Sequence, residues 1–527
     1  MKQRPKISLK TIDVILPNSG NTNKTEIEKN LEMTPKKNLD LSSALKVMGT
    51  DTGQKKPFAV RIVTLLLWLL FIGNALFLLF NFNKMPDWTW GSVFRINGFT
   101  ILIWTTVSFF GAIVSSYAGT YLTGFKFHSR FMWLCLNFSL SVMLLVMAQH
   151  ILLLIFSWLI MGGLMSQLIG IDKSWGEARE AAKFTQKYFL AGSSFLAVGL
   201  IPLALYSDQY TISGIAEVVA GMPYYLLQLS ALCVIGAAIV QSAMYPFHRW
   251  LLSAMTAPTP ASALMHAGFV NGAGILLALF ASLLFASNTL YILFIIGGFT
   301  AIIAQFTKLL QVNVKQKLGC STIAQMGFMI MQCGLGFFNA AVVHLILHGF
   351  YKAYLFLSSG EEIAQSKPEE LKPLRIRPLQ AVIVLLFGGM GAFLFASWTG
   401  KGLLLNSGLL LTLIVAITVG QATYNIVKEQ SLSLLQKIVV PPLLFIAGIG
   451  IYALMYNGIT VLMADMPMVA RPLPLTSVQV IFGVIFLIGF FIMKLGVYKK
   501  IPWLYVKLMN LSQPNKKSVL MYKSKSI

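Results

Sequence analysis

The sequence predicts an all-α fold, a polytopic transmembrane helix bundle of about fourteen helices, and three observations predict it. Of 527 residues, 56% are hydrophobic and only 11% charged, whereas a soluble domain is about one quarter charged; the mean hydropathy is +0.73. Apolar runs of about 20 residues, the length that crosses a roughly 30 Å hydrocarbon core as a helix, follow one another along nearly the whole chain. All 18 Asp and Glu residues fall outside those runs.

Residues 1–57 are polar, Lys- and Asn-rich and lack a long apolar run, so they read as a flexible cytoplasmic tail able to touch anionic lipid or a partner, and not as a secretory signal peptide. The expected spans are 63–82, 97–120, 131–149, 151–171, 188–206, 224–245, 261–286, 290–307, 320–337, 341–359, 378–397, 403–424, 438–462 and 475–493. Because 131–149 and 151–171 are almost contiguous, that region also admits another parsing. The expected organisation is a membrane core over 58–425, C-terminal transmembrane helices over 426–500 and a basic cytoplasmic tail over 501–527.

The net charge of +23 would suggest nucleic acid in a soluble protein. Here its distribution gives topology instead. With the spans assigned alternately, only Lys84, Arg95, Lys401 and Arg471 of the 41 Lys and Arg residues fall on the side opposite the N-terminus. The positive-inside rule turns that asymmetry into an even number of crossings with both termini cytoplasmic, and no nucleic-acid partner is expected.

Cys135, Cys233, Cys320 and Cys333 lie in or at the ends of apolar runs, without a CxxC pair, and read as inert buried thiols. The sequence holds no Gly-rich phosphate loop, nucleotide fingerprint, or haem, iron–sulfur or other metal spacing, so no cofactor or metal is expected on this chain.

The exclusion of carboxylates sharpens the search for a site, since intramembrane ion pathways are commonly built on Asp or Glu. The polar groups left at membrane depth are His150, Gln241, His266, Asn271, Lys308, Lys315, His344, His348, Lys352 and Lys401. A charged side chain in lipid costs several kcal/mol, so these groups must face the bundle interior. His344, His348 and Lys352 recur every fourth residue and form one helical stripe about 12 Å long. Imidazole accepts a proton on one nitrogen and releases one from the other, so the stripe reads as a relay. Against this stands the plainer reading, in which the imidazoles are satisfied by local partners and Lys352 snorkels to the surface. In 241–274, Pro246, Pro258 and Pro260 separate two apolar runs. Either this is a loop with an amphipathic "PFHRWLLSAM" segment, or it is a hinge beside an ion path.

The stretches "AMYPFHRWLLSAMTAPTPASALMHAG", "VNVKQKLGCSTIAQMGFM" and "AAVVHLILHGFYKAYLFLSSG" resemble the large antiporter-like membrane subunits of respiratory complex I and Mrp cation/proton antiporters, over about 97–425. That superfamily typically pairs a Glu in an early helix with a Lys before the P-x-x-x-W stretch. Leu159 and Gln241 stand at those positions here, so the Glu–Lys pair is missing. "PFHRWL", "LGCSTIAQMGFMIMQCGLGFF" and "HGFYKAYLFLSSG" resemble the DabB family, membrane subunits of inorganic carbon accumulation systems. That resemblance implies a bacterial inner-membrane subunit passing a cation, expected to be H+, beside a DabA-like zinc-containing partner that hydrates CO2, and it admits higher-order assembly. The polar groups are expected to line a hydrated track of His266, Lys315, His344, His348, Lys352 and Lys401, with His150, Gln241, Asn271 and Lys308 secondary; the resemblance itself supports Lys315 and the His344/His348/Lys352 stripe, and it aligns Lys401 only loosely with a Lys in a broken later helix of the family. The rival readings are a proton-pumping subunit of a complex I-like NADH-quinone oxidoreductase, an Mrp-type Na+/H+ antiporter subunit and a membrane scaffold.

Overall fold

Long runs of Leu, Ile, Phe and Ala with no internal Asp or Glu leave the backbone no competitor for its own hydrogen bonds, and in lipid a helix satisfies all of them. The computed structural model describes residues 57–359, 378–401, 404–428, 434–496, 498 and 500–519, all within one compact unit, Lys56–Ile527. The expected tail over 1–57 therefore lies almost wholly outside the described residues.

Helix α1 (Phe58–Asn81) leads through a short antiparallel hairpin, β1 (Trp88–Trp90) and β2 (Phe94–Ile96), into α2 (Gly98–Tyr121), α3 (His128–Met147), α4 (Ile151–Ile169) and α5 (Gly176–Ser207). A short α6 (Ile212–Val218) precedes α7 (Tyr224–Gln241). There the chain breaks into α8 (Arg249–Ser253), α9 (Thr259–Leu264), a π-helical turn over Met265–Phe269, α10 (Gly272–Leu279) and α11 (Ala281–Ala286). It then continues as α12 (Leu290–Leu309), α13 (Val314–Gly334), α14 (Phe338–Ser358), α15 (Pro378–Thr399), α16 (Gly408–Lys428), α17 (Leu434–Leu462), α18 (Ser477–Leu495) and α19 (Pro502–Leu511).

Every expected span falls on one of these helices or on the broken series. Among the described residues, ten helical stretches are long and apolar enough to cross a membrane unaided. Shorter apolar stretches, Leu385–Thr399, Gly408–Gly420 and Ser477–Gly489, fall on α15, α16 and α18, while α13 begins with the polar "VKQK". The structure adds the hairpin, α6 and α19, the last inside the stretch expected to be a tail. It also starts α5 before its apolar run, so Glu177 and Glu180 occupy that helix's polar first turns.

Close backbone approach holds the centre together. α12 and α13 pack so tightly that a Cβ on Gly297 would meet the Gly327 carbonyl oxygen at 2.6 Å, and one on Gly327 would meet the Ala301 nitrogen at 2.7 Å. Without a hydrophobic drive between helices in lipid, such small-residue contacts let van der Waals packing hold them.

Hydrogen bonds between distant connections tie the bundle together. At one end, Arg95 bonds Asp87 and Asp465, and Arg471 N–H donates to the Gly336 carbonyl. At the other, the C-terminal segment meets the break after α7: His248 Nε2 donates to Leu511 O at 2.7 Å and Asn515 N to Ser253 Oγ at 2.9 Å. The segment "PFHRWLLSAM" is thus no free amphipathic loop, since Trp250, Leu251 and Leu252 are buried.

Candidate functional site

The stripe on α14 faces inward. Lys352 is fully buried and His348 nearly so, and the His344 and His348 rings lie 6.0 Å apart at 23°. Lys352 does not snorkel: its Nζ donates to Leu318 O on α13 at 3.1 Å. Among the described residues, neither nitrogen of His348 nor Nε2 of His344 has a hydrogen-bond partner. The reading of imidazoles satisfied by local groups therefore fails for these atoms.

His266 joins the stripe from the broken helix. The π turn carries it, fully buried, onto Phe356 of α14 at 4.3 Å and 12°. Both of its ring nitrogens lack a hydrogen-bond partner among the described residues, and it lies within electrostatic reach of Lys352 and Lys315. π turns are rare and recur at functional sites because they shift side chains out of helical register. Gln241 and Asn271 hold this one open: Gln241 Nε2 donates to Phe269 O at 3.1 Å, while Asn271 Nδ2 donates to Ala267 O at 2.8 Å and to Leu345 O of α14 at 3.3 Å. The proline-marked segment is thus a break that abuts the polar stripe.

Lys315, at the start of α13, donates to Ala257 O at 2.8 Å, and the next residue, Gln316, donates to Leu252 O at 3.1 Å. Lys308 is half-buried in the last turn of α12, within electrostatic reach of Lys352. His150 stands apart from this group. It caps α4, Nδ1 accepting from Leu152 N at 3.2 Å, and stacks on Tyr210 at 6.0 Å. Leu159 is on the outward face of α4, 39% exposed.

Sequence reasoning did not find what lies beyond His344. A cavity of about 410 Å³ opens beside it, with Gln305, Gln325, Gln332, Thr418 and Tyr452 in its polar lining and Phe395 on its wall. Phe395 and Tyr452 also stand 6.0 Å from the Nζ of buried Lys401, whose amine has no hydrogen-bond partner among the described residues. The structure thus places His266, Lys315, His344, His348 and Lys352 together and brings Lys401 within one cavity of them. The missed signal was Tyr452 and Tyr456, spaced four apart on α17. The four cysteines are buried and free.

The sequence model described as NADH:quinone oxidoreductase/Mrp antiporter, TM, matches residues 148–427, more than half of the chain. The chain belongs to this antiporter family. Similar relatives are the probable inorganic carbon transporter subunit DabB1 of Halothiobacillus neapolitanus, 33% identical over 55% of this chain and 54% of that protein, and the probable subunit DabB of Bacillus subtilis, 38% identical over 38% and 40%. NADH-quinone oxidoreductase subunit L of Escherichia coli is 32% identical over 54% and 49%. The chain spans about half the length of the curated relatives it matches. Among solved structures, the membrane-bound sulfane sulfur reductase, an archaeal respiratory membrane complex, has a chain that superposes with a TM-score of 0.54 at 19% identity, over 89% of this chain and 93% of that one. The Mrp complex from Dietzia sp. gives 0.53 at 20% identity, over 86% and 51%. This family member is a multi-pass, antiporter-like membrane protein. Every residue of the polar group lies inside the matched region, whereas Tyr452 and Tyr456 lie beyond it.

Proposed function

We propose that this chain is the H+-conducting membrane subunit of an energy-coupled inorganic carbon uptake complex in a bacterial plasma membrane. A zinc-containing, carbonic-anhydrase-like partner would carry out CO2 hydration to bicarbonate. The observation that carries the reading is the His344/His348 pair, buried with unpartnered ring nitrogens between Lys352 and a cavity roomy enough for several waters. Leaving such nitrogens dry costs about 1–3 kcal/mol each, and water that satisfies them also supplies the proton wire.

In this reading a proton passes between Lys315 and Lys352 at one end and Lys401 at the other, through His266, His348, His344 and cavity water. Each imidazole takes a proton on one nitrogen and releases one from the other. The end bearing Lys315 is cytoplasmic, as the distribution of Lys and Arg requires. One proton crossing about 100 mV releases about 2.3 kcal/mol, enough to bias a near-balanced hydration equilibrium more than tenfold. The names of the relatives support the carbon assignment.

Expression with and without a large zinc-containing partner, in a carbonic-anhydrase-deficient host grown in air, tests the reading. Growth is expected only with both chains, to stop on adding an uncoupler, and to be lost in the His344→Ala, His348→Ala double variant at unchanged protein level. Growth that survives the double variant sinks the relay. Copurification with quinone-reductase subunits would move the chain to the reading favoured by its likeness to subunit L.

A further inference from the structure

Lys401 is an isolated amine in an unusual setting. It follows Gly400, whose φ of +67° turns the chain off the end of α15 in a conformation glycine adopts without strain, and it is 3% exposed. Among the described residues no carboxylate pairs with it, and its Nζ has no hydrogen-bond partner. Four rings surround it instead. Nζ lies 3.5 Å from the ring centroid of Tyr456, 4.8 Å from that of Phe337, and 6.0 Å from those of Phe395 and Tyr452.

An aromatic face within about 6 Å attracts a cation, more strongly when water is excluded. Here the rings come from the turn before α14, from α15 and from α17, so three separate elements converge on one amine. They are also braced. Tyr452 and Tyr456 are parallel, 6.3 Å apart at 5°. Asn339 at the start of α14 donates to Thr460 at 2.7 Å, and both reach the Tyr456 hydroxyl, while Gln332 reaches that of Tyr452.

We propose that Phe337, Phe395, Tyr452 and Tyr456 form a cation-binding cage that holds Lys401 as an ammonium in place of a carboxylate counter-ion, with Tyr456 as its main positioning residue. The inference rests on the proposed conduction only for what the cage is used for. Phe395 and Tyr452 are walls of both the cage and the cavity beside His344, so a proton arriving on cavity water meets the amine between these rings. An N–H bond to Lys401 forms as the O–H bond of a hydronium breaks, and the ring faces stabilise the charge this creates. Release reverses the step without breaking an ion pair. A chain that excludes Asp and Glu from its spans thereby keeps a lysine that can be charged and discharged.

Weakening the ring face at nearly constant shape tests this. With the full chain purified and reconstituted in liposomes, gradient-driven H+ uptake is expected to stay within about twofold for Tyr456→Phe. It should fall about tenfold when a trifluorinated phenylalanine replaces that Phe, and at least as far for Tyr456→Leu. Equal uptake with Phe and its fluorinated analogue would overturn the proposal, because a packing role is indifferent to ring electrostatics. A double-mutant cycle of Lys401→Gln and Tyr456→Leu, read by thermal unfolding of the detergent-solubilised protein, is independent of conduction and should be non-additive. Additive effects would remove the cage even if uptake were normal. If the wild-type chain conducts nothing by itself, the uptake series is run with the zinc-containing partner present, where continued silence defeats the conduction reading; the cycle decides the cage in either case.

Discussion

The two ends of the buried polar group hold their amines by opposite means. At the α13 end, Lys352 and Lys315 donate to the main-chain carbonyls of Leu318 and Ala257. At the α17 end, ring faces meet the Lys401 amine, which has no hydrogen-bond partner among the described residues. A carbonyl bond is directional and weakens steeply off axis, so the first pair is fixed in orientation. A ring face tolerates displacement across its area, so Lys401 can shift without losing its partner. With carboxylates excluded, the sequence uses backbone dipoles where helices break or begin, and π faces where an uninterrupted helix passes by.

The comparison is broken most directly at Lys352. Lys352→Met should lower H+ uptake about a hundredfold or more, the scale of a lost proton-transfer group, while circular dichroism stays unchanged. Uptake within threefold of wild type would show that Lys352 is scaffolding and leave Lys315 as the functional amine of the carbonyl-held end.

A second variant asks whether a carbonyl suffices to hold an added amine. Gln241→Lys restores the residue type expected from the resemblance, but next to a lone acceptor, Phe269 O, and with no intramembrane Glu to answer it. The protein is expected to lose several kcal/mol of stability, seen as a lower unfolding temperature in detergent. An unchanged temperature would mean that backbone dipoles can take a further charge.

The smallest effect concerns a place where carboxylates do serve, the Asp87–Arg95–Asp465 cluster at the Lys401 end of the bundle. The Arg95 hydrogen bond holds Asp87 below its usual value of 3.8, against the opposing effect of burial, and raises Arg95 in turn. Asp87 in the folded chain therefore loses protons more readily than in the unfolded chain. Its contribution is full above that ordinary value and disappears as pH falls through the lowered one. Asp87→Asn should cost up to about 1 kcal/mol at neutral pH, as expected of a half-exposed pair, and nothing in strong acid. A difference in unfolding temperature that persists in acid would contradict this.

The helices were legible because hydropathy over 20 residues outweighs local detail, as in α1–α4. Pro258 and Pro260 announced a break, but not the π turn of Met265–Phe269, which depends on Gln241 and Asn271 bonding across it. His344, His348 and Lys352 were visible because spacing on one helix is a local property. The cage was not, since Lys401 and its four rings come from distant segments, and Tyr452 and Tyr456 alone look like ordinary apolar packing. His150 shows the converse: a histidine at a helix boundary whose work is capping. Helix α19 was hidden by its lysine, Lys507, in a length of only 10 residues.

The attachment of the C-terminal segment beneath the break after α7 bears on anyone who handles this protein. Leu511 and Asn515 hold His248 and Ser253, and Leu252 and Ala257 in the same stretch accept from Gln316 and Lys315. A purification handle or fluorescent fusion spliced in before residue 515 would thus pull, through four hydrogen bonds, on a lysine far away in sequence. Labels belong beyond Val519, past the residues Leu511 and Asn515 that brace that corner.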